Sequence, residues 1–226
     1  MEVKVLKITE DILGSNKEWA RKNRDRLEAL GILTINVMSS PGAGKTSLIV
    51  ETIRRLKGAV RVGVIEGDLA SRVDADKVHR EGAPVVQINT GGGCHLDAAM
   101  IEKALLNLPL EEVDALLIEN VGNLVCPAEF DLGEHRKVML LSVPEGDDKP
   151  QKYPVMFSGV DVVLVNKTDV LAYFDFDMTA FLRAVTGLNP DVKIFPISCK
   201  TGEGLETWVS WLQEQLKQRK VKNKDA

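Results

Sequence analysis

The 226-residue chain lacks the features that would tie it to a membrane, an oxidising compartment or a nucleic acid. No apolar run approaches the roughly 20 residues that a helical span requires. The N-terminus, MEVKVLKITED, has no long apolar core of the secretory kind. Cysteine is scarce: three residues do not make a disulfide framework in a chain of this size. They suit a reducing cytosol, where thiols serve packing, metal or redox work, and a cytoplasmic location is expected. Neither charge dominates, since 29 Lys plus Arg against 33 Asp plus Glu leave −4. That balance argues against a nucleic-acid partner for the whole surface. Internal repeats and low-complexity tracts are also missing.

What is present is an ordinary globular composition, 44% hydrophobic and 27% charged. One domain over residues 1–226 is the expectation at this length. From residue 32 onward, apolar runs alternate with amphipathic segments. ILTINVM (32–38), VRVGVIE (60–66), PVVQIN (84–89), DALLIEN (114–120), KVMLLSV (137–143), VDVVLVN (160–166) and VKIFPIS (192–198) read as strands. Helical spacing marks Lys45 to Leu56, His95 to Leu108 and Leu205 to Leu216. Strands this rich in Val, Ile and Leu, with little alternation, are buried on both faces. The fold class is therefore α/β, a mostly parallel sheet flanked by helices. Residues 9–30 are predicted to dock as a helix outside the sheet through Ile12, Leu13, Trp19, Ala20, Leu27 and Leu30. KQRKVKNKDA (217–226), with no periodic apolar face, reads as a frayed tail.

The first strand runs into SSPGAGKTS and then a helix. Pro41 opens the loop, and backbone N–H groups of Gly42-Ala43-Gly44-Lys45-Thr46-Ser47 would surround a phosphate there, aided by the helix N-terminus. Lys45 would neutralise the β- and γ-phosphates, and Thr46 would place its hydroxyl on Mg²⁺. Ser39 stands where the pattern has its first glycine, and a modest change in the turn leaving the strand is expected. Far downstream, Asn166-Lys167-Thr168-Asp169 follows a strand. The Asp169 carboxylate can accept from guanine N1–H and the 2-amino group, which adenine cannot match. Lys167 would cover the base and Asn166 would brace the loops. Ser198-Cys199-Lys200 follows the last strand, where a backbone N–H can meet the guanine oxygen. These residues select GTP or GDP. Asp68 and Glu119 end two strands and could hold Mg²⁺ or orient water, although a solvated strand-end carboxylate is the plainer alternative for each. No glutamine is placed to orient the attacking water, so slow intrinsic hydrolysis is expected.

Gly91-Gly92-Gly93-Cys94-His95 precedes a helix, and Cys126 lies just beyond the strand that ends in Glu119. Both loops belong to one edge of the sheet. Two thiolates and an imidazole suit Zn²⁺ or Ni²⁺ and suit Mg²⁺ poorly. A free cysteine can equally be a small buried hydrophobe, and a lone histidine a structural one. One chain offers three ligands at most; a two-fold axis could combine the ligands of two chains. Cys199 reads as backbone-determined, and His79 and His135, without a Cys neighbour, read as surface residues.

Together SSPGAGKT, EGDLASRVDA, NTGGGCHLDAAM, IENVGNLVCP, GDDKPQKYP, NKTD and SCKTG resemble the HypB family of hydrogenase nickel-insertion GTPases, from about residue 10 to residue 215. The resemblance implies a P-loop NTPase fold of the SIMIBI type and a GTP-hydrolysing metallochaperone that dimerises with nucleotide. It also implies a nickel or zinc site at Cys94, His95 and Cys126, and Mg²⁺ on Thr46 and Asp68. Lys149 is implied to help the dimer or to reach the nucleotide. The implied partners are a small zinc-containing hydrogenase maturation protein and the precursor of the hydrogenase large subunit. Residues 1–30 contain neither Cys nor His, so an N-terminal nickel-storage motif is not expected, and Ser39 and Ser71 replace the commoner Gly and Thr. Urease accessory GTPases have Cys-Pro-His where this chain has adjacent Cys94 and His95. A chaperone for cobalamin-dependent mutases would not need the three metal ligands, and a metal-free regulatory switch is the rival of a different class. The guanine assignment is testable on its own. Asp169→Asn should weaken GTP and favour xanthosine nucleotides, whose 2-oxo group suits an amide donor; unchanged GTP affinity in a binding titration would refute it.

Overall fold

A computed structural model describes residues 8–68 and 73–222, with side chains over 13–68 and 73–219. The first half of the chain contains α1 (Ile8–Ala29), β1 (Leu33–Ser39), α2 (Lys45–Leu56), β2 (Val62–Asp68), α3 (Val73–Arg80), β3 (Val85–Asn89), α4 (Ala98–Leu105) and β4 (Ala115–Glu119). Then come α5 (Cys126–Glu129), β5 (Arg136–Ser142), α6 (Lys149–Lys152), α7 (Pro154–Ser158), β6 (Val162–Asn166), α8 (Met178–Leu188), β7 (Lys193–Pro196) and α9 (Leu205–Lys222). All seven predicted strands are present, with ends shifted by no more than two residues. They form one sheet in the order β3-β2-β4-β1-β5-β6-β7, and every neighbouring pair is parallel. From β1 the chain winds first towards β2 and later towards β5. The loop after β1 therefore lies where the winding reverses, which is where open α/β sheets bind ligands.

Burial follows the sequence pattern. β1, β4 and β6 are buried throughout, as strands covered on both faces must be. On one face, Leu48, Ile49, Ile53 and Leu56 of α2 join Trp208 and Leu212 of α9 over Ile35, Val37, Val64 and Leu117. The Trp208 indole N–H donates to Thr52 Oγ1 at 2.8 Å, which fastens α9 to the middle of α2. On the other face, Leu27, Ile101 and Leu105 cover Ile65, Leu116 and Ile118, while Phe157 and Phe181 cover Met139, Val163 and Val165. Fully burying a side chain of this kind contributes about 1.5–3 kcal/mol.

Three predicted features differ. The docked face of α1 is only partly apolar. Leu30 is exposed, Leu13 and Trp19 are half-buried, and the Ile12 side chain lies outside the described residues. Asn16 and Asn23 instead join Ala20 and Leu27 in the buried stripe. Asn16 accepts from the Ala98 N–H at 2.8 Å and donates to the Asp131 carbonyl at 2.8 Å. Asn23 Nδ2 donates to the carbonyls of Ala98 (2.8 Å) and Leu132 (3.0 Å). Stranding buried carbonyls of this kind costs about 1–3 kcal/mol, so α1 is anchored by polar contacts that periodicity does not reveal. The segment read as a frayed tail continues α9 as far as Lys222, because Lys, Gln and Arg are good helix formers; residues 223–226 lie outside the described residues. The predicted helix from His95 to Leu108 shortens to α4, because the Asp97 carboxylate caps it by accepting from Met100 N–H at 2.7 Å.

His135 is a further correction. It is not a surface residue: its side chain is 10% exposed. Its Nδ1 accepts from the Thr34 N–H at 2.9 Å, while its own N–H donates to the Thr34 carbonyl at 2.8 Å, completing the start of the β1–β5 ladder. Burial, reinforced by the cations of Arg219, Arg24 and Arg136, pushes its pKa down to about 3. Between pH 6.5 and about 3 the unfolded chain holds a proton here that the fold excludes, so stability falls as pH falls through that window. In His135→Asn, Oδ1 replaces the Nδ1 acceptor and cannot be protonated in this range. Urea unfolding at pH 7.5 and 5.0 should show a smaller acid loss in the variant than in the parent; equal losses would refute the assignment.

Candidate nucleotide pocket and metal centre

The loop between β1 and α2 depends on two glycines. Gly42 and Gly44 take φ of 76° and 108°, a region that costs glycine little. A Cβ on Gly44 would also lie 2.6 Å from Asn166 Nδ2. Asn166 is buried at the end of β6 and joins three segments. Its Nδ2 donates to the Ala43 carbonyl at 2.9 Å, and its Oδ1 accepts from the Cys199 N–H at 3.1 Å. Lys167, with φ 64°, donates through Nζ to the Gly42 carbonyl at 2.8 Å. Asp169 accepts from Ser198 Oγ at 2.7 Å and lies 3.9 Å from Lys200 Nζ. The segments SSPGAGKTS, NKTD and SCKTG are thus a single hydrogen-bonded unit. Burial pushes the Cys199 thiol up to about 12, so it is neutral there.

Pro41, Gly42, Gly44, Lys45, Thr46 and Ser47 form one wall of a pocket of about 380 Å³. Asp68, Glu119 and the 120–122 backbone lie opposite, together with Glu66. Lys45 is buried and donates from Nζ to Ser39 Oγ at 3.0 Å. Ser39 therefore does more than leave the strand, since its hydroxyl positions the loop's cation. Burial lowers the Lys45 pKa, and Glu119, Glu145, Asp74 and Asp68 oppose that shift. Thr46 Oγ1 donates to Glu119 Oε1 at 3.0 Å. Glu119 is buried and raised to about 7 by desolvation, against the pull of Lys45.

Sequence reasoning passed over Glu66. It sits directly across from Glu119 in the β2–β4 register and is raised to about 8, first by burial and then by the Glu119 charge. The Oε2 atoms of both glutamates are buried without a hydrogen-bond partner. The EGD sequence at a predicted strand end was the signal that could have marked Glu66. A hydroxyl and several carboxylates around one pocket are hard oxygen donors, and this set fits Mg²⁺.

The second site lies at the same edge of the sheet. Cys94 Sγ is 3.1 Å from Cys126 Sγ and 3.5 Å from His95 Nδ1, and the three ligand atoms lie within 4.8 Å of one another. Cys126 opens α5, and His95 packs its ring on Phe130 with centroids 3.9 Å apart. Burial lowers the His95 pKa despite Asp97, which keeps the imidazole in its neutral, ligating form. The hydrogen bond with Cys94 raises the Cys126 thiol; a bound cation would reverse that preference. His79 is exposed and lies outside this cluster. Lys149 Nζ donates to the Glu145 carbonyl at 2.7 Å, and the Glu145 carboxylate takes the Ser40 hydroxyl, so Lys149 stands one residue removed from the phosphate loop. Ser71 lies outside the described residues.

A glycine loop at the sheet's switch point, the NKTD segment bonded to it and a parallel sheet define a P-loop nucleotide-binding protein of the SIMIBI fold. A family model described as CobW/HypB/UreG, nucleotide-binding domain, matches residues 33–196. The chain is 50% identical over 212 residues to the hydrogenase maturation factor HypB of Azotobacter vinelandii, covering 94% of this chain and 70% of that protein. HypB from Helicobacter pylori, solved in complex with nickel, superposes with a TM-score of 0.87 at 39% identity, covering 90% of this chain and 96% of that one. The signal recognition particle receptor FtsY of Elizabethkingia anophelis shares the fold alone, at 16% identity and a TM-score of 0.54 over 85% of this chain and 74% of that one. The chain belongs to the HypB family of hydrogenase maturation factors.

The two sites should separate by mutation. Cys94→Ala or Cys126→Ala should weaken Zn²⁺ and Ni²⁺ by more than the tenfold to hundredfold, roughly, that losing a supporting contact costs, and leave GDP affinity at the parent level. Calorimetric titration checks both; retained metal affinity would remove the cluster from consideration.

Proposed function

We propose that the chain is a GTP-hydrolysing metallochaperone that delivers nickel during maturation of a [NiFe]-hydrogenase. It would act as a nucleotide-dependent homodimer, with a small zinc-containing maturation protein and the large-subunit precursor as partners. One observation carries this reading: Cys126 sits on the loop that runs from Glu119 along the phosphate pocket, and its sulfur meets Cys94 and His95 from the neighbouring loop. The nickel complex of the H. pylori relative supports nickel as the cargo.

Asp169 would accept from guanine N1–H and the 2-amino group, with Ser198 fixing its carboxylate and Lys167 lying over the base. Lys45 would release Ser39 Oγ and neutralise the β- and γ-phosphates. Thr46, Asp68 and Glu119 would hold Mg²⁺, which supplies charge neutralisation at the phosphates. No glutamine faces the pocket among its described lining residues, in keeping with slow turnover. Cys94 and Cys126, as thiolates, and neutral His95 would take nickel as cargo, and a two-fold axis would bring a second set of three.

Lys45→Ala should lower GTP turnover by about 10²–10³-fold, as loss of a positioned electrostatic donor does. Untagged protein titrated with nickel in GDP and in a non-hydrolysable GTP analogue, with mass followed in parallel, should show different metal affinities and dimer fractions. Equal affinity and an unchanged dimer fraction would leave a GTPase with an inert metal site and refute the chaperone reading.

A further inference from the structure

The loop that carries Cys126 rests on the phosphate loop, and one of its side chains bridges to the loop that carries Cys94. Asn123 donates its backbone N–H to the Ser39 carbonyl at 2.8 Å, where β1 passes into the phosphate loop. Its Nδ2 donates to the Cys94 carbonyl at 3.1 Å, and its Oδ1 accepts from the Val125 N–H at 3.0 Å, one residue before Cys126. A single residue thus bonds the root of the phosphate loop and the backbone at or beside both cysteine ligands. Its neighbour leaves no slack: a Cβ on Gly122 would lie 2.9 Å from the Pro41 Cα and N atoms, so the 122–123 backbone is seated directly on the loop.

Asn120 has a different task. It is fully buried, donates to Asn36 Oδ1 at 3.2 Å, and accepts from the Leu96 N–H at 3.2 Å. Its partners belong to the sheet and to the buried start of the helix loop, so it fixes the metal loop to the floor. Asn123 is half-buried, above that floor, and its two amide atoms reach the two sides of the cysteine pair.

We infer that Asn123 is the positioning residue that sets the spacing of Cys94 and Cys126 according to the state of the phosphate loop. The inference rests on the nucleotide-coupled metal reading above and names the atoms that carry the coupling. Displacing Ser39 and Pro41 moves the 122–123 backbone, and the carboxamide transmits that movement to the Cys94 carbonyl and the Val125 N–H together. Metal–ligand bonds are about 2.0–2.3 Å long and tolerate little error, so a shift of a few tenths of an ångström between the sulfurs changes affinity.

The test compares parent, Asn123→Ala and Asn123→Asp, none of which alters a ligand to metal or nucleotide. Asn123→Ala removes both arms and keeps the backbone bond to Ser39. Asn123→Asp keeps the acceptor for Val125 and loses the donor to Cys94, and serves if the alanine variant folds poorly. Nickel affinity is measured for each with GDP and with the GTP analogue, and the thiolate-to-nickel charge-transfer band is recorded in both states. In the parent the two affinities should differ by about fivefold or more, and in the variants by less than about twofold, with a band that no longer responds to nucleotide. A purely structural role would weaken nickel equally in both states and preserve the parent's ratio; that result overturns the inference while leaving the proposed function intact. A parent ratio of one overturns the proposed function first, before any variant is made.

Discussion

The loops beyond the strands carry backbone N–H and C=O groups that no ladder takes, and in this protein buried carboxamides take several of them. Asn166 ties the phosphate loop to the SCKTG segment, Asn120 ties β4 to the loop at Leu96, and Asn16 and Asn23 hold both polar atoms of Ala98. Cys94, Leu96 and Ala98 are alternate residues, and each is gripped by an asparagine from another segment. The loop that carries Cys94 and His95 is therefore fixed at two points before α4 and at a third, Ala98, where α4 begins. Without these bonds a glycine-rich stretch such as Gly91-Gly92-Gly93 would have no reason to present Cys94 and His95 in one direction.

The nucleotide pocket shows the opposite economy, in which several carboxylates gather around one buried cation. Lys45 is surrounded by more acids than it can neutralise, and burial keeps Glu66 largely protonated near neutral pH while Glu119 sits close to its midpoint. A cation entering such a pocket displaces protons as it binds, because carboxylates must ionise to ligate it. The affinity of a hard cation held there would rise with pH more steeply than solvated carboxylates allow. The soft centre is insulated from this competition by chemistry, since sulfur and imidazole nitrogen attract a different class of metal.

The parallel sheet and the glycine loop were legible in the sequence because their signals are local: a run of Val, Ile and Leu, or a strand followed by SSPGAGKTS; the order β3-β2-β4-β1-β5-β6-β7 was not. NKTD and SCKTG were legible as types of chemistry, although only the fold shows that Asn166 joins them. Glu66, Asn123, His135 and the docked face of α1 were not legible. Their partners lie far away along the chain, as with Asn23 and Leu132 or Thr34 and His135, and no periodicity encodes them. Ser39 was visible as a departure from a pattern, but its hydroxyl's bond to Lys45 required the loop to close. Cys94, His95 and Cys126 were recognisable by residue type, and their convergence followed from placing two loops on one edge of the sheet.

Two of the chain's three tryptophans, Trp208 and Trp211, are stacked with centroids 5.4 Å apart on the face covered by α2, and Trp208 holds Thr52 at the helix's centre. The third, Trp19, lies half-buried on α1 with Lys22 Nζ 4.3 Å from its ring. Buried indole emission therefore comes from a pair bonded to the helix that begins with Lys45 and Thr46, while Trp19 emits from a separate, wetter setting. The protein thus carries an intrinsic fluorophore pair attached to the phosphate-loop helix, distinct in place from the indole on α1.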